Sequence, residues 1–307
     1  TTRLIAHIAK MKGYRVGYTT SDGVYIQNRL LMTGDCTGPA SAEFVLKDPT
    51  VNFAVLECAR GGLLRAGLGF KKCDVAVVTN VAADHLGLKG IHTIEQLAKV
   101  KAVVPETVFP HGYAILNAED DLVYGMKDGL KCNIALFSMN ENNARLKEHC
   151  NKGGLATVYE NGYITIMKGN WKIRVMLAKD IPLTYEGKAV HNIANCLPAV
   201  LATYLYRDIT IEDIRQGLQT FMPGESLTPG RLNFFHFKNY SFLADFAHNP
   251  HGLKLLCDFI SKLDYKTNIG VISGTGDRRD EDIKELGEIS AKSFDQIIIR
   301  CDKNLRG

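Results

Sequence analysis

Three apolar runs of the chain each end in a polar cluster of the kind that handles phosphates and metals. Residues 51–57 (VNFAVLE) close on Glu57, and residues 74–81 (DVAVVTNV) carry Asn80 with Asp84 and His85 just beyond. The run YAILN closes on Asn117, with Asp120 and Asp121 after it. A carboxylate placed directly after an apolar strand suits Mg²⁺ near nucleotide phosphates, because this hard cation takes oxygen ligands and shares them with phosphate. Any one polar strand end can be explained by contact with solvent. Three together, beside the glycine pair Gly61-Gly62, favour a shared site outside the carboxyl ends of a sheet. His85 at a strand-to-helix turn is, by residue type alone, more often a satisfied polar group than a ligand, and Asp84 beside it strengthens the functional reading. Lys101 falls on the polar half of a helical pattern, where an exposed lysine is the default and Lys99 competes for any special role.

Further candidates lie downstream. Over 188–205 the helical period puts Val190, Ile193, Ala194, Leu197, Val200 and Leu201 on one side and His191, Asn192 and Asn195 on the other. A solvated stripe normally carries Lys or Glu, so amides and an imidazole there suit a nucleotide base or a carboxylate. ADFAHNPHG places Asp245, His248 and Asn249 after a strand. VISGTGDRRDEDI places Gly274, Gly276 and the run Asp277 to Asp280 after the next strand, where backbone N–H groups and Arg278/Arg279 could meet anions. No G-x-x-x-x-G-K-[ST] occurs in the 307 residues, so the chain as given lacks a phosphate cradle and its lysine.

These groups need a scaffold, and the hydrophobic pattern supplies one. Thr1 to Lys12 reads as a helix through Leu4, Ile5, Ile8 and Met11, followed by a strand at 14–18 and a turn at Ser21-Asp22-Gly23. Residues 51–57 and 74–81 read as buried strands, and 93–104 reads as a helix opened by the capping box Thr93–Gln96. The alternation predicts an α/β fold with a mostly parallel central sheet flanked by helices. Residues 155–178, with turns at Asn161-Gly162 and Gly169-Asn170, read as a small antiparallel meander. Proline and glycine cluster from Met222 to Gly230, which predicts one domain over 1–225 and a second, incomplete and Rossmann-like, over 226–307.

Composition is that of an ordinary globular enzyme, 46% apolar and 23% charged. A net charge of +4 with dispersed basic residues argues against nucleic acid as a partner. No apolar run reaches the ~18–20 residues that cross a bilayer, so no membrane role is expected. None of the eight cysteines forms a C-x-x-C pair, and several sit inside apolar runs; this pattern predicts reduced thiols and a cytoplasmic location.

In order, TTRLIAHI, ECARGGLLRAGLGF, TNVAADHLGLKG, ILNAEDD, HNIANCLPAV, TPGRLN, DFAHNPHG and GTGDRRDEDI resemble the Mur ligase superfamily. ECARGGLLRAGLGF, TNVAADHLGLKGIHTIEQLAKVK and IIIRCDKNLRG are similar to the C-terminal module of the cyanophycin synthetases. The resemblance covers essentially the whole chain. It implies a P-loop-type ATPase domain whose P-loop strand lies upstream, with Thr1-Thr2-Arg3 as the tail of that loop, and an ATP-grasp module further toward the N-terminus. It implies ATP and Mg²⁺ as cofactors, cyanophycin (a polyaspartate backbone) and L-arginine as substrates, and a homo-oligomer.

The same resemblance assigns Glu57 and His85 to Mg²⁺. Lys101 corresponds to a lysine that is carbamylated in muropeptide ligases and contacts a second Mg²⁺. Asn80 goes to the cofactor, Asn192 and Asn195 to the adenine, Arg231 to the phosphates, and Asp245 to the ribose and the interdomain hinge. His248 and Asn249 are carried over to the cleft, with Lys101, His248 and Asp245 as the catalytic set. Arg60, Gly61 and Gly62 go to the substrate, and Asp277, Arg278, Arg279 and Asp302 to the incoming amino acid. Two departures stand out: HNIAN follows the general Mur pattern, and Phe246 stands where Tyr is commoner. A folylpolyglutamate synthase or muropeptide ligase remains an alternative, as does a non-catalytic module of an enzyme that joins preformed dipeptides. Without a phosphate cradle, the 307-residue chain alone is expected to turn over no ATP.

Overall fold

Helix α1 (Thr2–Met11) buries Leu4, Ile5, Ala6, Ile8 and Ala9 along the face its apolar period predicts, while Met11, expected on that face, is exposed at the helix end. A computed structural model describes residues 1–83, 86, 87, 90–274 and 279–300. After α1 come β1 (Val16–Thr20), the hairpin strands β2 (Gly23–Ile26) and β3 (Arg29–Thr33), α2 (Pro39–Lys47) and β4 (Phe53–Leu56). They form a four-stranded sheet in the order β3-β2-β1-β4, with β1 parallel to β4 and the hairpin antiparallel. The hairpin and α2 were not legible as separate elements in the pattern.

Helix α3 (Arg60–Ala66) leads to β5 (Cys73–Val78), α4 (Ile94–Ala102), β6 (Val108–Asn117), α5 (Asp121–Gly125), β7 (Asn133–Ser138) and α6 (Ala144–Asn151). The strands β8 (Leu155–Glu160), β9 (Tyr163–Lys168) and β10 (Trp171–Leu177) follow. The second sheet runs β10-β9-β8-β7-β6-β5, parallel from β5 to β8 and antiparallel beyond. The expected meander therefore continues the parallel sheet through β8. Its turn at Asn161-Gly162 holds both residues at positive φ (49° and 82°), the geometry a two-residue hairpin needs. The capping box of α4 forms as its sequence predicts, with Thr93 accepting from Gln96 N–H and the Gln96 side chain accepting from Thr93 N–H.

Helix α7 (Val190–Tyr204) covers β5 to β9, while α1 covers β1 and β4 and packs on α7 and on α8 (Ile211–Thr220). One apolar cluster joins the two sheets: Leu4, Ile8, Val16 and Phe53 meet Ile115, Phe137, Ile164 and Ile166 through Leu197 and Leu201 of α7. Full burial of each such Leu or Ile side chain contributes ~1.5–3 kcal/mol. A second cluster beneath α4, α5 and α6 centres on Leu97, Leu116, Val123, Leu136 and Leu146. No helix among the described residues is long and apolar enough to cross a membrane.

The last part of the chain builds β11 (Asn233–His236) and β12 (Ser241–Ala244), then α9 (Pro250–Ile260), β13 (Ile269–Ile272), α10 (Asp280–Ser293) and β14 (Gln296–Ile299). β11 and β12 pair antiparallel and β13 and β14 parallel. This unit meets the first through Leu232 and Phe259 against Ala189 and Tyr185, and the Tyr185 hydroxyl donates to the Leu232 carbonyl.

Candidate functional site

β4 is the last strand of one sheet and β5 the last of the other, and both edges line a single cleft of about 960 Å³. The first turns of α1 and α7 and the segment after β12 also line it. The cleft gathers Thr1, Glu57, Asn80, Lys101, Asn192, Asn195, Arg231, Asp245, His248 and Asn249, contributed by segments up to 248 residues apart in sequence.

Glu57 extends from the carboxyl end of β4, where its N–H donates to the Thr19 hydroxyl at 3.1 Å. Burial pushes its carboxyl above the usual carboxylate range, although the Arg231 guanidinium pulls the other way. Lys101 is half-buried, unlike the exposed Lys99, and its ammonium donates to the Asn80 carbonyl at 2.9 Å. Two of the expected residues are thus tied together across the end of β5.

Along the α7 stripe, Asn195 accepts from the Thr1 hydroxyl at 3.1 Å and Asn192 donates to the Leu183 carbonyl at 2.9 Å. Asn192 therefore spends a donor on the chain itself. Burial lowers the His191 imidazole, with Asp245 and Asp258 acting against it. Val190, expected on the buried side, is 38% exposed at the first position of α7.

Asp245 accepts from Leu232 N–H at 2.9 Å and from Ala247 N–H at 2.8 Å, so its carboxylate holds the start of β11 to the end of β12. Arg231 lies with its guanidinium carbon 5.0 Å from the centre of the Phe246 ring, which is 58% exposed in the cleft and meets the His248 ring edge-on at 4.9 Å. His248 Nδ1 sits 2.8 Å from the Phe246 carbonyl, and Asn249 caps α9 by accepting from Gly252 N–H at 2.7 Å.

Other expectations resolve differently. Asn117 donates to the Thr79 carbonyl and accepts from Glu119 N–H, both at 2.9 Å. Asp120 caps α5 and accepts from Val81 N–H at 2.7 Å, while Asp121 pairs with Arg145 at 2.6 Å. None of the three lines the cleft; the third polar strand end instead fastens the loops after β5 and β6. Arg60, Gly61 and Gly62 open α3 beside the cleft but do not line it. Gly62 has a packing reason to lack a side chain, since a Cβ there would meet Gly38 Cα at 2.8 Å and the Thr37 carbonyl at 3.0 Å. Gly62→Ala is expected to cost ~1–3 kcal/mol by forcing α3 off α2, read as a lowered midpoint in urea denaturation. Arg279 pairs with Asp282 at 2.7 and 3.0 Å. His85, Asp277, Arg278 and Asp302 lie outside the described residues.

Arg3, Asp22 and Cys58 are among the cleft residues not singled out as site residues from the sequence. Arg3 pairs with Asp22 at 2.5 Å and lies over the Tyr25 ring at 4.6 Å, and Cys58 follows Glu57. Asp22 read only as a turn residue, and Arg3 only as part of the Thr1-Thr2-Arg3 tail that the resemblance places after the phosphate loop.

Residues 1–203 match the family description "Mur ligase middle domain". The chain belongs to the Mur ligase family. It is 52% identical over 307 residues to the cyanophycin synthetase of Trichormus variabilis, a match that takes in 100% of this chain and 34% of that protein. The chain thus spans about a third of the length of the curated relatives it matches most fully. Among solved Mur ligases, MurF from Acinetobacter baumannii superposes with a TM-score of 0.67 at 19% identity, covering 97% of this chain and 60% of that one. A folylpolyglutamate synthase bound to AMPPCP and folate gives 0.66 at 19% identity, covering 97% and 76%. These superpositions establish the Mur ligase fold, α/β with helices on a central mixed sheet, for both parts of the chain.

Proposed function

We propose that this chain is the arginine-adding, ATP-dependent ligase module of a cytoplasmic cyanophycin synthetase. The observation that carries the reading is the convergence of Glu57, Lys101, Asn195, Arg231 and Asp245 on one cleft between two lobes. The 52% identity over the whole chain favours cyanophycin synthetase over the muropeptide and folate ligases. The proposed lobes are residues 1–225 and 226–307, joined at the proline- and glycine-rich stretch that the sequence marks.

In the proposed reaction an aspartate β-carboxylate takes the γ-phosphoryl group of ATP. The amine of arginine attacks the resulting acyl phosphate, the tetrahedral intermediate expels phosphate, and an amide remains. The carboxylate is a poor electrophile until phosphorylated, which is why ATP is required. The donor set fits Mg²⁺: the Glu57 carboxylate opens on the cleft and receives no hydrogen bond from the described residues. Mg²⁺ is commonly held by one or two carboxylates plus phosphates, and no group of three or more possible ligands occurs among the described residues. When bound, the cation would neutralise charge on the transferring phosphoryl group. Glu57 and His85 are its proposed holders. Arg231 supplies positive charge to the phosphates, Asn192 and Asn195 face the base, and Phe246 offers a ring to stack on it. Lys101 steadies the Asn80 end of the cleft through its bond to that carbonyl.

The open edges of β4 and β5 also support the proposed upstream P-loop strand. Each edge leaves backbone N–H and C=O groups for a neighbour, and both line the space that Thr1 borders. Supplying the protein that carries this chain with Mg-ATP, a polyaspartate-based primer and either arginine or glutamate tests the reading. Incorporation of arginine with release of ADP and phosphate is expected. Glutamate incorporation would move the chain to the folate type. No incorporation of either, with intact polymerisation of β-aspartyl-arginine dipeptides, would make the module a scaffold.

A further inference from the structure

Arg3, at the second position of α1, is nearly withdrawn from solvent, with its side chain 13% exposed. Its guanidinium carbon lies 4.6 Å from the centre of the Tyr25 ring and 5.5 Å from that of Tyr18. The two rings stack on each other at 4.7 Å. Arg3 Nη2 donates to Asp22 Oδ2 at 2.5 Å. The same oxygen accepts from the Tyr25 hydroxyl at 2.5 Å, and Oδ1 accepts from the Thr20 hydroxyl at 2.8 Å. Burial works against the charge of Asp22, yet Arg3 and the two hydroxyls hold its carboxyl below the usual carboxylate range.

An ion pair this enclosed adds little net stability, because desolvating two charges offsets their attraction. Its place in the fold accounts for it better. The pair ties the first turn of α1 to the turn that follows β1. On β1 itself, the Thr19 hydroxyl accepts from the N–H of Glu57 at 3.1 Å, so one strand end holds both α1 and Glu57. A second tie runs from the Thr1 hydroxyl to Asn195 of α7 at 3.1 Å. No side chain caps α1. Its leading N–H groups have no intrahelical partner and border the cleft, where they favour an anion. Neither charge of the pair is placed to meet that anion. The guanidinium is engaged by Asp22 and covered by rings, and a carboxylate would repel phosphate.

We propose that Arg3 and Asp22 are positioning residues, a brace that sets the first turn of α1 against Glu57 so that both meet the phosphates of ATP together. The inference rests on the proposed reading that nucleotide phosphates lie between these two groups. It assigns the pair to holding the geometry of phosphoryl transfer, without contact to the reacting atoms.

The test uses the full-length protein, a polyaspartate-based primer and arginine as the only amino acid supplied. Asp22→Asn keeps the shape of the side chain and removes its charge, while Arg3→Met keeps the stem without the guanidinium. Each is expected to raise the KM for ATP ~10-fold or more, as a misplaced binding group does, with the KM for arginine unchanged. Loss of folded enzyme would lower the apparent kcat and move neither KM. The double variant is expected to be no worse than the worse single, because the brace is already open. Should Arg3→Met not fold, Arg3→Lys takes its place in the cycle, since it lacks the fork that meets Asp22. Amide exchange over residues 4–9, compared with β6, needs no substrate, and is expected to be ~10-fold faster in either single variant. A wild type that adds no arginine would sink the functional reading alone, and exchange would still report on the brace. A wild-type KM for ATP in both single variants, additive losses in the double variant, or unchanged exchange would each overturn the proposal. Additive losses would make the two side chains separate contacts of the nucleotide.

Discussion

Glu57→Gln in the full-length protein is expected to cut arginine incorporation by on the order of 10²-fold or more, the scale of losing one charge-stabilising group at a phosphoryl or acyl centre. The substitution keeps the volume of the side chain and removes only its charge. The carboxylate stands on the cleft wall at the end of β4, desolvated enough to raise its proton affinity, and receives no hydrogen bond from the described residues. A desolvated carboxylate in that position destabilises the fold, a cost that is explained when something other than the protein uses its charge. Glu57→Gln should therefore leave the melting temperature unchanged or raise it while the rate falls. The two readouts separate function from folding. An unchanged incorporation rate would remove Glu57 from the metal shell, and a parallel loss of rate and stability would make it a structural residue.

The sequence disclosed the strands that border the cleft more readily than the rest of the scaffold, for a physical reason. β4 and β5 are short apolar runs bounded by polar residues, and both are legible. β2 and β3 are joined by the two-residue turn Gln27-Asn28, both at positive φ without a glycine, so the usual turn signal is absent. β3 is apolar yet exposed, so burial patterning says nothing about it. Among the polar strand ends, Glu57 and Asn80 face the cleft, whereas Asn117 and Asp120 bond to neighbouring backbone. The side chains are of the same types in both cases. What differs is whether an orphan N–H lies within reach, as at the first turn of α5 for Asp120, and that is set by the loop the chain folds next. The stripe on α7 was legible because three amide or imidazole side chains in the first two turns of a largely apolar helix demand an explanation, and the cleft supplies it for Asn195 and His191. Asn192 splits its amide between the cleft and the Leu183 carbonyl, a bond to a residue nine positions earlier that no periodicity reveals.

Asp245 offers the sharper test of how the cleft is held. Its two oxygens each take one backbone N–H, from Leu232 on one side and Ala247 on the other. Leu232 is held at φ 49°, a conformation that costs a residue with a side chain free energy, and the bond to Asp245 is one of the contacts that keep it there. Between these two anchored residues and their neighbours stand Arg231 and Phe246, stacked 5.0 Å apart at the mouth of the cleft. Asp245→Ala removes both acceptors and leaves two partly buried N–H groups, at ~1 kcal/mol or more each. Arg231 and Phe246 would then lose their fixed positions, with an expected rise of ~10-fold or more in the KM for ATP and a lower kcat. Asp245→Asn keeps one carbonyl oxygen and can retain one of the two bonds, so a purely positioning role predicts kinetics between wild type and Asp245→Ala. A role for the carboxylate charge at the ribose or at the reacting atoms predicts instead that Asn fails as badly as Ala. The KM and kcat of the two variants, measured on proteins of matched melting temperature, decide between a brace and a participant. Wild-type kinetics in both would exclude Asp245 from the nucleotide site altogether.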